Sequence, residues 1–261
     1  MESSFIESLS RVVNQAVDAT EPIVDRYFQG AYEVEWKADE TPVTVADKEC
    51  EQIIRDHLLD AFPHHGWFGE ESGQANMDAE FVWLVDPIDG TKSFVAGTPF
   101  FSTQIALMQG GELVYGLSNA PLMRERCESW CFESESLVRM NGQHIVCSST
   151  DVLSRASLSL GNVGTLAASP QWAALGRVMA AVNRTRGYGD FVHYHLLASG
   201  KIDAVIESDV NILDIAALCV AVRAAGGVFT DLTGAPIDLN TRSVLAANRT
   251  LHPILLEHLN E

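Results

Sequence analysis

Trp83-Leu84-Val85-Asp86-Pro87-Ile88-Asp89-Gly90-Thr91 is the stretch that decides the fold of this 261-residue chain. An apolar run from Phe81 to Val85 feeds into two aspartates three positions apart, and a Gly-Thr pair follows. The run reads as a buried strand. Pro87 has no N–H for a central ladder, so the strand is expected to stop there. The carboxylates then fall at its carboxyl end, where open α/β sheets place their ligands. Asp86, Asp89 and the Ile88 carbonyl on one tight turn form a hard oxygen cluster suited to Mg²⁺. Gly90 permits close backbone approach, and the N–H groups of Gly90 and Thr91 can face a phosphate. Strand, acidic turn and amide pair together point to metal-assisted phosphate chemistry. Apolar residues flank the turn on both sides, which a solvated acidic loop would not need.

Composition narrows the partners. Hydrophobic residues make up 47% of the chain and its net charge is −18. Such a charge argues against a nucleic-acid backbone or an anionic membrane surface. It would also repel a phosphate ester unless bound cations invert the local field. Five scattered cysteines, at 50, 127, 131, 147 and 219, suggest no disulfide framework and read as reduced thiols. Cys127 and Cys131 lack the second pair that a zinc site needs. The first residues show no basic and apolar signal segment, and no apolar run reaches the ~18 residues of a membrane span. The expectation is a soluble, cytoplasmic protein forming one globular unit over 1–261, with sub-layers of about 1–150 and 151–261.

Ser4 and Glu7 have capping-box spacing, and Phe5, Leu9, Val12, Val13, Ala16 and Val17 recur at helical spacing towards Phe28. Thr44-Val45-Ala46-Asp47 repeats the capping pattern and opens a second helix through Ile53, Ile54 and Leu58. Gly110-Gly111 marks a hairpin between strands 103–108 and 113–117, and further strands are expected over 126–132 and 144–147. Beyond about residue 150, strands and helices alternate: strand 158–160, helix 170–182, helix 191–199, strand 202–206 and helix 213–225, the last stopped by Gly226-Gly227. Strands near 228–230 and 244–247 and a short final helix complete the chain. His193 and His195, two apart in a helix, face different ways and read as ordinary core or interface histidines.

The Asp-Pro-Ile-Asp-Gly-Thr motif at 86–91, Gly69-Glu70-Glu71-Ser72 upstream, and Asp214-Ile215-Ala216-Ala217-Leu218 followed by Ala225-Gly226-Gly227-Val228 resemble the inositol monophosphatase superfamily. The similarity runs from Thr41 to Gly234 in the family's order. It implies an α+β fold, a five-layer αβαβα sandwich, and a Mg²⁺-dependent phosphomonoesterase using two or three ions, with Mn²⁺ as a possible substitute, in a homodimer. By this resemblance Glu70, Asp86, the Ile88 carbonyl, Asp89 and Asp214 ligate metal, and Glu70 also orients the attacking water. Asp47 bonds to Thr91, which relays to the water; Gly90 and Thr91 receive the phosphoryl group. On spacing alone, Asp214 is equally a first-turn acid complementing a helix dipole, and Asp47 the acidic partner of a capping box. Leu213 stands where the family usually carries an aromatic residue.

Thr91-Lys92-Ser93-Phe94, Gly97-Thr98-Pro99-Phe100-Phe101, Asn119-Ala120-Pro121-Leu122 and Gly189-Asp190 resemble the histidinol-phosphate phosphatases of this superfamily. Glu207, seven residues before Asp214, falls where the family's substrate-binding glutamate sits, and Asp190 where inositol-specific members carry a small residue. Their bland readings are a strand-end surface acid and a helix N-cap. Paired acids suit the ammonium and imidazole of histidinol better than a neutral polyol. The substrate implied is a small phosphate ester, L-histidinol phosphate, in histidine biosynthesis. Inositol-1-phosphate or a range of sugar phosphates is the alternative. A non-catalytic regulatory subunit is a third, disfavoured by the full set of carboxylates.

Overall fold

The computed structural model describes residues 2–28, 30, 34–36, 42–133 and 135–260. In chain order the first half contains α1 (Glu2–Phe28), β1 (Val34–Trp36), β2 (Pro42–Thr44), α2 (Val45–Ala61), β3 (Gly66–Gly69), β4 (Gly73–Ala75), β5 (Phe81–Asp89), α3 (Thr91–Val95), β6 (Ser102–Gln109), β7 (Glu112–Ala120), β8 (Glu125–Cys131), β9 (Ser136–Met140) and β10 (Gln143–His144). The second half contains β11 (Ser157–Gly161), α4 (Val163–Ala168), α5 (Trp172–Ala181), β12 (Arg184–Arg186), α6 (Asp190–Ala198), β13 (Ala204–Ser208), α7 (Ile212–Ala224), β14 (Gly227–Thr230), β15 (Ser243–Asn248) and α8 (Leu251–Asn260). No described helix is long and apolar enough to cross a membrane.

Helix α7 organises the layers. It is apolar all round, and ten of its thirteen residues are buried, as expected of a helix enclosed on every side. With α6 it fills the space between an eight-stranded sheet, order β10-β9-β8-β7-β6-β5-β3-β4, and a five-stranded sheet, order β12-β11-β13-β15-β14. On the far face of the larger sheet lie α1 and α2, joined through Leu9, Val13, Ile54 and Leu58 to Trp83, Val85 and Tyr115. On the far face of the smaller sheet lie α5 and α8, packed through Leu175, Val178, Leu251 and Leu255 against Leu158, Ile206 and Leu245. The result is the αβαβα sandwich.

Strand β5 shows why its sequence is a continuous apolar run. Val82 and Leu84 face α7, whereas Trp83 and Val85 face α1 and α2, so both faces are buried. Its neighbours are β3, in parallel, and β6, antiparallel. The parallel pairing brings the carboxyl ends of β3 and β5 to the same edge. Pro87 does not end β5. The strand continues to Asp89 through a bulge in which Asp86 pairs with Gln104 and Asp89 with Ser102, and Thr103 Oγ1 donates to Pro87 O at 2.9 Å. A bulge accommodates the missing N–H and re-aims the side chains beyond it.

Other local expectations shift. Ser4 lies inside α1, which is already helical from Glu2. Thr44 directly precedes α2 as expected, but its side chain and Thr41 lie outside what is described. The strand expected over 144–147 is replaced by β9 and the two-residue β10; Asn141 and Gly142, both at positive φ, make the turn between them. Asp190 is the first residue of α6 rather than its N-cap, which is Gly189. All five cysteines are free thiols.

Candidate active site

The bulge at the end of β5 builds the floor of the site. Ile88 N–H donates to Asp86 Oδ1 at 3.0 Å, closing the turn and holding that carboxylate. Thr91 Oγ1 lies 3.1 Å from Ile88 O and 3.3 Å from Asp47 Oδ1, so one hydroxyl ties the start of α3 to the start of α2. Gly90 has φ 90°, and a Cβ there would sit 2.6 Å from Phe100 O. Only glycine meets both conditions. Asp89 Oδ2 accepts from Ser102 Oγ at 3.2 Å.

Glu70 follows β3, and its N–H donates to Val85 O at 3.1 Å, extending the β3–β5 ladder to the site. The loop it opens is held by a residue that sequence reasoning overlooked. Glu51, on α2 and 2% exposed, accepts from Glu71 N–H and Ser72 N–H at 2.7 Å each. Trp67 Nε1 adds a bond to Ser72 Oγ at 2.8 Å. A Cβ at Gly69 would lie 2.7 Å from the Glu51 carboxyl group, which explains the glycine of the Gly-Glu-Glu motif. The signal for Glu51 was available: it occupies the helical stripe formed by Asp47, Cys50, Ile54 and Leu58, all buried.

Asp214 comes from the first turn of α7. Asn211 caps the helix: its side chain accepts from Leu213 N–H at 3.2 Å, while Asp214 Oδ2 accepts from Asn211 N–H at 3.0 Å. The helix-terminal reading and the site reading of Asp214 therefore coexist. Oxygens of Asp86, Asp89 and Asp214 all lie within 4.8 Å of one another. Glu70 stands beside this trio, close enough to hydrogen-bond Asp86. The four carboxylates line one cleft of about 680 Å³ together with Gly90, Thr91, Asp190, Lys92 and Arg242.

Electrostatically the trio is under stress. Burial raises Asp86 and Asp89 well above the usual carboxylate range, and neighbouring acids push the same way: Glu70, Asp89 and Asp214 on Asp86; Asp214, Asp190 and Glu207 on Asp89. Asp214 is pushed up to about 7, by burial first and then by Glu70, Glu207 and Asp190, against an opposing bond from Asn211 N–H. None of these leading influences is a cation. Buried carboxylates that repel one another as this trio does are relieved either by protons or by a divalent ion. An all-oxygen donor set fits a hard cation such as Mg²⁺ or Mn²⁺.

At the inner end a smaller cavity of about 40 Å³ is lined by Asp89, Asp190, Tyr194, Glu207 and Asp214. Glu207 is a buried residue of β13, not a surface acid. Its Oε2 accepts from Tyr194 Oη at 2.7 Å and lies 3.1 Å from His193 Nε2. His193 Nδ1 lies 3.3 Å from Ser159 Oγ. Asp190, accessible from the cleft but enclosed on its protein side, is raised by desolvation first and by Glu207 second; its φ of 46° sets it in the left-handed region. His193 thus lies behind the site and supports Glu207, an involvement that its sequence context did not signal. His195 does face the other way, towards the larger sheet.

A profile of the inositol monophosphatase family matches residues 6–261. The chain belongs to that family. The histidinol-phosphatase of Streptomyces coelicolor is 36% identical over 267 aligned positions, covering 97% of this chain and 96% of that protein. The inositol-1-monophosphatase of Mesorhizobium japonicum is 31% identical over 82% of this chain and 81% of its own. Among solved structures, the extragenic suppressor protein SuhB of Bartonella henselae superposes with a TM-score of 0.87 at 28% identity, covering 97% and 98% of the two chains. For this inositol monophosphatase family member, the fold brings the candidate site residues to one place, the Ile88 carbonyl lying beneath Thr91 Oγ1. Glu70, Asp86, Asp89, Gly90, Thr91, Asp190 and Asp214 line one cleft; Asp47 joins it through Thr91, and Glu207 through the inner cavity.

Proposed function

We propose that this phosphatase hydrolyses L-histidinol phosphate to L-histidinol and inorganic phosphate, a step of histidine biosynthesis, with Mg²⁺ as its cofactor. The observation that carries the reading is the placement of two acids beyond the metal-type trio. Asp190 and Glu207 line the inner cavity beside Asp89 and Asp214. A neutral polyol can offer such a wall only hydroxyl hydrogen bonds, whereas an ammonium or imidazolium adds an opposite charge. The 36% identical relative over nearly the whole chain, named histidinol-phosphatase, supports the same substrate.

In this reading Glu70, Asp86, Asp89, Asp214 and the Ile88 carbonyl would hold the metal ions, which would supply charge neutralisation for the phosphoryl group and a more acidic water. The chain's own residues do the rest. Glu70 orients the attacking water and accepts its proton, and the Thr91 hydroxyl, steadied by Asp47, fixes the water's second bond. Gly90 and Thr91 N–H groups receive the phosphoryl oxygens. Asp190 and Glu207 bind the cationic end, so that the ester oxygen is held towards the trio.

Glu207→Gln tests the assignment by removing charge while keeping shape. Its kcat/KM on histidinol phosphate should fall roughly ten- to a hundredfold, the value of about 1.5–3 kcal/mol for a charge-assisted bond. On a small aryl phosphate without a cation the loss should stay within about threefold. Equal losses on both would make Glu207 a structural residue and bring inositol-1-phosphate or a sugar phosphate forward as substrate.

A further inference from the structure

A buried chain of hydrogen bonds leaves the site through Asp89 and crosses the larger sheet to its other polar end. Ser102 Oγ donates to Asp89 Oδ2 at 3.2 Å. Gln104 Nε2 reaches Ser102 Oγ at 2.8 Å and Ser118 Oγ at 3.1 Å, with a longer contact of 3.5 Å to Asp89 Oδ2 itself. Ser118 Oγ lies 2.9 Å from His195 Nε2, and His195 Nδ1 lies 3.0 Å from Glu125 Oε2. Ser102, Gln104, Ser118 and His195 are all buried, and Glu125 is half-buried. Polar groups placed so deeply cost stability unless their bonds are complete, so a continuous run of them calls for a reason.

The proton directions are determined. Desolvation lowers His195, which keeps its imidazole neutral, and the bond from His195 lowers Glu125, which keeps it ionised. Nδ1–H therefore donates to Glu125, and Nε2 accepts from Ser118. Ser118 in turn accepts one N–H of Gln104. The second N–H of Gln104 goes to Ser102, whose proton goes to Asp89. Gln104 is the hub, with one arm ending on Asp89 and the other on Glu125. Its Oε1 is buried without a partner, so the amide is oriented solely by where its N–H groups are accepted.

We propose that His195 is a positioning residue for Asp89, acting through Ser118, Gln104 and Ser102. As long as His195 takes the Ser118 proton, the Gln104 amide must point its donors inwards, and the Ser102 proton stays on Asp89 Oδ2. Without that acceptor, the amide can turn so that the Ser118 and Ser102 hydroxyls donate to Oε1 instead. Asp89 Oδ2 then loses both the Ser102 hydroxyl and the longer contact from the turned amide, and the carboxylate is free to swing. The inference rests on the metal-holding role proposed for Asp89.

Calorimetric titration of Mg²⁺ into the full chain, stripped of metal with a chelator, tests this without reference to turnover. Ser102→Ala, which removes the donor itself, should weaken Mg²⁺ about tenfold. His195→Leu and Ser118→Ala should each weaken it about threefold to tenfold, and adding either to Ser102→Ala should cost clearly less than the product of the separate losses, because all act on the same donors to Asp89 Oδ2. His195→Gln, whose carbonyl can still accept from Ser118, should return to within about twofold of wild type. Ser118→Ala carries the test if His195→Leu does not fold. Unchanged affinity in Ser118→Ala or His195→Leu, losses that multiply with that of Ser102→Ala, or equal losses in His195→Leu and His195→Gln would each overturn the relay. A wild-type protein that binds no cation would overturn the metal reading and the relay together.

Discussion

Glu51→Gln is the substitution whose effect the geometry specifies most closely. Each carboxylate oxygen of Glu51 accepts one backbone N–H, Glu71 on Oε2 and Ser72 on Oε1, both at 2.7 Å. An amide of the same shape keeps one acceptor and must turn its NH₂ towards the other N–H. One charge-assisted bond is lost, a partly buried N–H is left unpaired, and the surviving bond loses its ionic part. With about 1–3 kcal/mol for the unpaired group and about half of a 1.5–3 kcal/mol charged bond for the remainder, the cost is roughly 2–4 kcal/mol. At roughly 2–4 °C per kcal/mol for a chain of this size, the melting temperature should drop by about 5–15 °C. If the loop detaches first, the loss appears instead in kcat at saturating Mg²⁺, because Glu70 is carried by that loop. Thermal denaturation and steady-state kinetics on one preparation cover both routes. A melting temperature within about 1 °C of wild type together with kcat within twofold would refute the role given to Glu51.

Asp89→Asn should fold and yet lose phosphate release by about 10²-fold or more, because it weakens metal binding and charge neutralisation together; near-wild-type turnover without added metal would contradict the site. Glu70→Gln should lower kcat far more than it raises KM, and an effect confined to KM would move Glu70 from water orientation to substrate binding. The metal-free protein should lose stability as pH rises from about 5 to 8. Asp86, Asp89 and Asp214, the last at about 7, bind protons more tightly folded than unfolded, so their contribution is complete below the unfolded carboxylate range and disappears as they ionise. Thermal melts should show that slope flattening in Asp214→Asn and Mg²⁺ raising the melting temperature more at pH 8 than at pH 5; equal slopes in the two proteins would show that Asp214 does not titrate this way.

What could be read from the sequence was whatever depends on neighbours along the chain. The apolar run into Asp86 and Asp89, the first-turn place of Asp214 in α7, and the Gly-Glu-Glu turn all act within a few residues, and each lies where expected. The bulge at Pro87 was misread as a stop, because the group that accommodates it, the Thr103 hydroxyl, belongs to the adjacent strand. Glu51 is not singled out by its own neighbours, since the two N–H groups that justify its burial lie 20 and 21 residues away. His193 and His195 read as ordinary core or interface histidines because their partners, Glu207 and Ser159 on one side, Ser118 and Glu125 on the other, come from different sheets. Only the packing of α6 between those sheets gives the two rings separate duties.

The most direct test of the central claim is kcat/KM of the purified wild-type protein on L-histidinol phosphate and on inositol-1-phosphate, each measured by phosphate release with and without Mg²⁺. The expected result is Mg²⁺-dependent release with histidinol phosphate favoured by about tenfold or more, the value of one charge-assisted contact at the Asp190–Glu207 end. Equal rates on the two esters, or a preference for inositol-1-phosphate, would contradict the substrate assignment; release undiminished by a chelator would contradict the metal site itself.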